Sequence, residues 1–335
     1  AVAEAPPKDG LYFAKSNVET FSSGCSLLDC VLGGGWPLGR FSNVVGDFST
    51  GKTLLAIEAC ANFARKYPKG RIVYIEAEAA FDVEYAKSLG LPTSRVEFPN
   101  DDEKRELPIT TIEELFDELV KITEEAKHET LVIVDSLDAI SDQAEMEREI
   151  DKGSFGQEKA KKVSQIFRRL VQALKRKRVH LMVISQVRDA IGVMWGKKTR
   201  RSGGRALDFY ASQVLWLSNR GKIEQTKAKV ERIIGVKINA KTEKNKIGTP
   251  FRECEFPIYF HFGIDDVEAG WDWLKSIGKT AEAQKLLLGL GPEDYVSLSA
   301  KDYDQARQEL AYVIQNFWNE IESSFAPKRT KYTIE

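Results

Sequence analysis

Apolar residues in this chain gather in short, dense runs at Phe41–Val45, Arg71–Glu76, Leu131–Asp135, His180–Gln186 and Gln213–Leu217. Between most of them lie longer stretches, such as Leu54–Arg65, Ile112–Ala126 and Gln157–Lys177, in which apolar positions return every three or four residues. Runs of the first kind predict buried strands, and spacing of the second kind predicts helices with one apolar face. Their alternation predicts an α/β fold, a doubly wound and mostly parallel sheet with helices on both faces. Ligands of such folds collect beyond the carboxyl ends of the strands, where the loop after Val45, Glu78, Asp135 and Gln186 all fall. Past Gly263 the chain turns to mixed, Trp-containing sequence and ends in a run where Ala306, Leu310, Val313, Ile314, Phe317 and Ile321 keep helical spacing. The pattern predicts a short N-terminal segment over 1–20, a core over 21–262, and a small helical or α/β domain over 263–335 with a basic tail at Lys328, Arg329 and Lys331.

Between the first strand and the first helix stands Gly46-Asp47-Phe48-Ser49-Thr50-Gly51-Lys52-Thr53, the G-x-x-x-x-G-K-[ST] phosphate loop in strand–loop–helix context. Backbone N–H groups from Gly46 to Gly51 can close around a phosphate. Lys52 sets a positive charge on the terminal phosphates, and the Thr53 hydroxyl can ligate Mg²⁺. The ligand this implies is a nucleoside triphosphate. The apolar run Leu131–Val134 then delivers Asp135 where the metal of that triphosphate would lie. Glu78, just past the strand ending at Glu76, is a candidate for orienting or deprotonating an attacking water, and on chemistry alone Glu76 is equally eligible. Gln186, on residue type alone, is a strand-end amide that caps backbone groups.

Composition narrows the class. With 335 residues, 42% apolar and 30% charged, the chain can bury one large core, and a net charge of −1 means that any attraction to nucleic acid comes from local patches. One such patch is Arg188–Arg205, which sets Arg188, Lys197, Lys198, Arg200, Arg201 and Arg205 against the single acid Asp189. It also carries Gly192, Gly196, Gly203 and Gly204, with Ile191, Met194 and Trp195 as apolar side chains that can wedge between or stack on bases. The plainer alternative is a solvated surface loop. The helical stretch Lys159–Arg178 is dense in Lys and Arg with no acid, its apolar face belonging to the core. The four cysteines show no C-x-x-C spacing and the three histidines no ligand spacing, which predicts reduced thiols and no structural zinc. No run is long and apolar enough for a membrane span.

Several motifs in series resemble those of the RecA recombinase family. They are Ser26-Leu27-Leu28-Asp29, Gly33-Gly34-Gly35-Trp36-Pro37-Leu38-Gly39-Arg40, the phosphate loop and Tyr74-Ile75-Glu76-Ala77-Glu78. They continue with Gln186-Val187-Arg188, Ile191-Gly192-Val193-Met194-Trp195-Gly196, Gly203-Gly204-Arg205-Ala206-Leu207, Phe209-Tyr210-Ala211-Ser212 and Lys244-Asn245-Lys246-Ile247. The resemblance spans roughly 18–264, in the family's order. It implies a DNA-dependent ATPase that uses ATP and Mg²⁺, forms a helical filament on single-stranded DNA and drives strand exchange with homologous double-stranded DNA. By position, Glu78 matches the water-activating glutamate, Asp82 and Tyr85 lie beside the adenine, and Gln186 senses the γ-phosphate. Lys244 and Lys246 match a pair that reaches the γ-phosphate of a neighbouring protomer, so the site is complete only between two copies. Arg188–Arg205 becomes the second DNA loop, with Gly203 and Gly204 offering backbone donors at a helix start. A first loop falls near Glu147–Gln157, with Phe155 at an intercalating position.

Departures from the family pattern are Arg148 and Asp151 in place of flexible glycines, Ala160 in place of a DNA-contacting arginine, and an insertion-like charged stretch Lys222–Arg232. They suggest a divergent member, cellular or phage-borne, working in the cytoplasm at the nucleoid or in a host's cytoplasm. Residues 1–20 are the expected docking arm toward an adjacent protomer. Two other classes share the same elements: a ring-forming RecA-fold translocase or helicase, and a non-catalytic ATP-binding mediator. The motifs at Ile191–Gly196 and Lys244–Ile247 speak against the first, and the joint presence of Lys52, Thr53, Glu78, Asp135 and Gln186 against the second.

Overall fold

The computed structural model describes residues 18–78, 81–99, 109–140, 156–189, 199–201 and 204–327, and the structural statements below concern these residues. A two-stranded ribbon of β1 (Thr20–Phe21) and β2 (Trp36–Pro37) encloses α1 (Ser26–Leu32). The phosphate-loop unit follows as β3 (Phe41–Gly46) and α2 (Lys52–Lys66), then β4 (Arg71–Glu76), α3 (Val83–Ser88) and β5 (Val96–Glu97). Next come α4 (Ile112–Glu125), β6 (Thr130–Asp135), α5 (Gly156–Lys177), β7 (Val179–Asp189), β8 (Thr199–Arg201) and α6 (Gly204–Tyr210). The long pair β9 (Gln213–Lys227) and β10 (Val230–Asn245) leads to β11 (Glu253–Tyr259), β12 (Gly263–Ile264), α7 (Asp266–Ser276), α8 (Thr280–Leu286) and α9 (Ala300–Ser324).

The main sheet runs β12-β11-β10-β9-β3-β7-β6-β4-β5. From β9 to β5 every neighbouring pair is parallel, and β10, β11 and β12 extend the sheet antiparallel. Alternate residues of each central strand serve opposite faces, as the twofold period of a strand requires. Ile72, Tyr74, Leu131, Ile133, Met182 and Ile184 pack with α2, α1 and the C-terminal helices. Val73, Ile75, Val132, Val134, Leu181 and Val183 pack with α4 and α5 through Ile112, Leu115, Leu119, Ile122, Phe167, Leu170 and Leu174. Both faces are covered, and so the strands read as unbroken apolar runs in the sequence.

Local sequence sets the helix ends. Thr111 Oγ1 accepts from the Glu114 N–H at 3.2 Å while Glu114 Oε2 accepts from the Thr111 N–H at 3.0 Å, a capping box that starts α4 and stabilises it by about 1 kcal/mol. Arg65 and Lys66 in the last turn of α2 oppose the negative end of its dipole. On the far side, α9 is tied to the core by the bidentate Arg252–Glu322 pair at 2.6 and 2.8 Å and by Arg307 on buried Asp266 at 3.3 Å. Leu310, Ile314 and Phe317 of α9 join the same apolar cluster as Leu28 of α1.

The five strand-like runs all form strands, two of them extended well past the predicted C-terminal end. β7 continues to Asp189, and β9 continues past Leu217 to Lys227. The charged stretch Lys222–Arg232, expected as an insertion, is the outer part of the β9–β10 ribbon, with its turn at Ala228 and Lys229 at φ 50° and 65°. That ribbon projects beyond the layers and is solvated on both faces, so it carries no apolar alternation to read.

Candidate functional site

β3 and β7 are neighbours, and the helices α2 and α6 that come after them pack on opposite faces of the sheet, the arrangement that in such folds leaves a crevice at the carboxyl ends of the strands. The ladder sets Gly46 opposite Gln186, and the β4–β6 ladder sets Glu76 opposite Asp135. The phosphate loop is folded on itself in the crevice. The Asp47 carbonyl accepts from Thr50 Oγ1 at 2.8 Å and from Lys52 Nζ at 2.6 Å. Gly51 stands at φ 80°, in the left-handed region, so the backbone conformation calls for glycine there, while a Cβ would meet only the tip of the Ile258 side chain.

Lys52 is buried, which pulls its ammonium below the usual lysine range, while Asp135, Glu78, Asp47 and Asp138 pull it back toward the charged form. Asp135 is buried as well. Its Oδ2 accepts from Thr53 Oγ1 at 2.8 Å and from Tyr74 Oη at 2.7 Å. Burial raises its carboxyl above the ordinary range against these two hydrogen bonds, which lower it. Asp138, on the turn Leu137–Ala139 just beyond, accepts from the Gln186 N–H at 2.6 Å through Oδ2, while its Oδ1 is buried with no partner among the described residues. Hydroxyl and carboxylate oxygens so disposed suit a hard divalent cation, and the orphaned Asp138 oxygen is an acceptor of the kind a metal-bound water fills.

The two glutamates differ. Glu76 accepts from the Glu78 N–H at 3.1 Å and shapes the turn. Glu78 is exposed, receives Ser136 Oγ, and accepts from Gln186 Nε2 at 2.7 Å. Asp82 caps α3 through the Tyr85 N–H at 2.9 Å, with Tyr85 half-buried against the core on the same helix.

β7 carries the chain out of the site, pairing antiparallel with β8 so that Arg188 stands opposite Arg200 in the ladder and Val187 opposite Arg201. The flanks of the basic segment are therefore paired strands, where a flexible loop was expected throughout. α6 begins at Gly204 with Arg205 as its second residue. Phe155, Ile191, Met194, Lys197, Lys198 and Gly203 lie outside the described residues.

Lys244 and Lys246 sit at the end of β10, after a register shift between Thr242 and Lys244 that re-aims the strand. Lys244 Nζ donates to the carbonyls of Asp208 and Phe209 at the end of α6, and Lys246 is exposed. Burial and the neighbouring Lys246 bring the Lys244 ammonium down to about 8. Between the two lysines, buried Asn245 donates to the Val31 and Leu32 carbonyls and accepts from the Ile247 and Gly248 N–H groups, fixing the pair to α1. Tyr74, Asp138 and Asn245 were not singled out from the sequence as site residues. Tyr74 and Asp138 fall in or beside apolar runs, and only side-chain bonds reveal all three.

These elements define a phosphate-loop protein of the doubly wound α/β class. The chain belongs to the RecA family, a family of DNA recombination and repair: residues 11–265 match the RecA N-terminal domain. It is similar to Protein RecA of Borrelia hermsii, 34% identical over 293 residues that cover 85% of this chain and 78% of that one. Protein RecA of Clostridium botulinum is 32% identical over 307 residues, 90% of this chain and 80% of that one. The chloroplastic DNA repair protein recA homolog 1 of Arabidopsis thaliana is 34% identical over 247 residues, 74% of this chain and 53% of that one. Membership implies a nucleotide-dependent, DNA-linked ATPase, and among the described residues no helix is long and apolar enough to cross a membrane.

Proposed function

We propose that this chain is an ATP- and Mg²⁺-dependent recombinase that assembles on single-stranded DNA, pairs it with homologous duplex, and hydrolyses ATP when DNA is bound. The observation that carries this reading is the position of Gln186. Its side chain holds Glu78 beside the phosphate loop, and its strand runs on through Arg188 into the basic segment that ends at Arg205. One residue thus touches the hydrolytic end of the site and leads the chain into the DNA-facing segment.

In this reading Gly46 to Gly51 wrap the phosphates, with Asp47, Ser49 and Thr50 contributing backbone, and Lys52 leaves the Asp47 carbonyl for the terminal phosphates. Thr53 and Asp135 would hold the metal, which when bound would supply charge neutralisation at the phosphates. Glu78 takes a proton from the attacking water and Gln186 senses the γ-phosphate. Asp82 and Tyr85 flank the base. Lys244 and Lys246 act on the nucleotide of an adjacent protomer, as an arginine finger does. Arg188, Arg200, Arg201 and Arg205 supply sequence-independent phosphate contacts, together with Lys197, Lys198, Gly203 and Gly204. Phe155, Ile191 and Met194 contribute apolar contacts to bases. Residues 21–262 form the working core, and 263–335 form a smaller domain docked through α9 on α1.

The test is ATP turnover with and without single-stranded DNA, together with negative-stain microscopy. DNA-stimulated turnover with filaments is the expected result, and equal rates without filaments would overturn the reading. Lys52→Ala should abolish turnover in either condition.

A further inference from the structure

Gln186 is held at two points, and only one of them belongs to the hydrolytic pair. Its side chain donates to Glu78 at 2.7 Å, while its backbone N–H donates to Asp138 Oδ2 at 2.6 Å. The second bond has a structural cause. The β6–β7 ladder ends at the pair Val134–Val183, and β7 runs on without β6 beside it. The Asp138 side chain supplies the acceptor that a strand would have supplied, from the turn Leu137–Ala139 that directly follows the metal acid Asp135. The same carboxylate adds to the field that keeps Lys52 charged, and its other oxygen is buried without a partner among the described residues.

We propose that Asp138 is a positioning residue that clamps the Gln186 backbone to the Asp135 turn, so that a change at the metal and phosphates is passed along β7 to the Arg188–Arg200 rung and the basic segment beyond it. This rests on the reading that hydrolysis is DNA-dependent. A donor brought by the nucleotide would meet the Asp138 oxygen that has no partner among the described residues, and would stiffen the turn. The clamp then carries that change to Gln186 even where the Glu78 contact is rearranged. Removing the carboxylate takes one of four acids from the field at Lys52 and leaves the Glu78 contact of Gln186 in place, but releases the backbone half of the link.

The experiment compares wild type, Asp138→Ala and Asp138→Asn in steady-state ATP turnover over a range of ATP concentrations, with and without single-stranded DNA, alongside thermal melting. Asp138→Ala should lose at least about tenfold in DNA-stimulated kcat while KM for ATP stays within about threefold. Asp138→Asn, whose amide oxygen still accepts from the Gln186 N–H, should keep most of the stimulation. If the alanine variant does not fold, Asp138→Ser, too short to reach the amide, is read in its place. Wild-type stimulation in Asp138→Ala, or an asparagine variant as defective as the alanine one, would overturn the proposal. A wild-type chain that DNA does not stimulate defeats the functional reading instead. The clamp is then read from hydrogen–deuterium exchange at residues 186–189: faster exchange in Asp138→Ala than in Asp138→Asn supports it, and equal exchange overturns it.

Discussion

The amide of Gln186 donates to Glu78 Oε1 at 2.7 Å, so β7 and the turn after β4 are joined across the intervening β6. The bond separates the two glutamates that share this turn. Glu76 is engaged by the Glu78 N–H, whereas the Glu78 carboxylate is exposed toward the crevice with Gln186 as its partner. Glu78→Gln preserves size and hydrogen bonding and removes basicity. It should lower single-turnover hydrolysis by at least about 100-fold while binding of a fluorescent ATP analogue changes little, and Glu76→Gln should cost far less. Equal losses in the two variants would remove Glu78 from its role.

Tyr74 lies fully buried on the α2 face of β4 and donates to Asp135 at 2.7 Å. That bond favours the carboxylate and opposes the burial that favours the acid. Tyr74→Phe should therefore raise the Asp135 carboxyl further and leave a smaller fraction ionised, the form in which it could ligate a metal, at a given pH. The acid limb of the pH–turnover profile at fixed Mg²⁺ should move to higher pH, and stability should fall by about 1 kcal/mol. An unmoved limb in a normally folded variant would show that Asp135 does not govern it.

Much of this was legible in the chain, and the exceptions have physical reasons. Leu131 to Val134 read as an unbroken apolar run because both faces of β6 are covered, and the phosphate loop reads directly because its left-handed backbone at Gly51 demands glycine. The outer ribbon of β9 and β10 was hidden because its residues are solvated on both faces and show no period. Asp138 and Asn245 were hidden for the opposite reason. Each is a polar residue whose partner is a backbone group distant in sequence, Gln186 N–H in one case and the Val31 and Leu32 carbonyls in the other.

His180 stands fully buried against Phe21, with Nδ1 2.7 Å from the Pro37 carbonyl oxygen and Nε2 unpartnered among the described residues. Burial pushes it down from 6.5 to about 4. Between those values the unfolded chain takes up a proton that the folded chain refuses, so stability falls as pH drops through this window, by about 3 kcal/mol in total, and the effect is absent above it. Glu58 at about 7 and Asp29 at about 6 also titrate, but they do so in wild type and in His180→Gln alike. The stability difference between the two chains, from urea melts across pH, should thus change only in the acid window. A constant difference would mean that His180 is protonated inside the fold.

Lys244 gives the proposed cross-protomer contact a pH signature. Burial first, and the charge of Lys246 second, bring it to about 8, so it is charged below that pH and neutral above it. Lys52 sits among Asp135, Glu78, Asp47 and Asp138, acids that hold its charge, whereas the Lys244 ammonium rests on the backbone carbonyls of Asp208 and Phe209 with Asp208 as the acid that opposes the shift. Because kcat/KM reports the groups of the unliganded enzyme, DNA-stimulated kcat/KM for ATP should decline as pH rises through about 8, if a neutral amine cannot hold the neighbour's phosphate. Lys244→Arg, which stays charged, should carry the profile to higher pH whatever its absolute rate. A wild-type profile that stays level to roughly pH 9.5 would separate Lys244 from the hydrolytic step and leave exposed Lys246 to act alone.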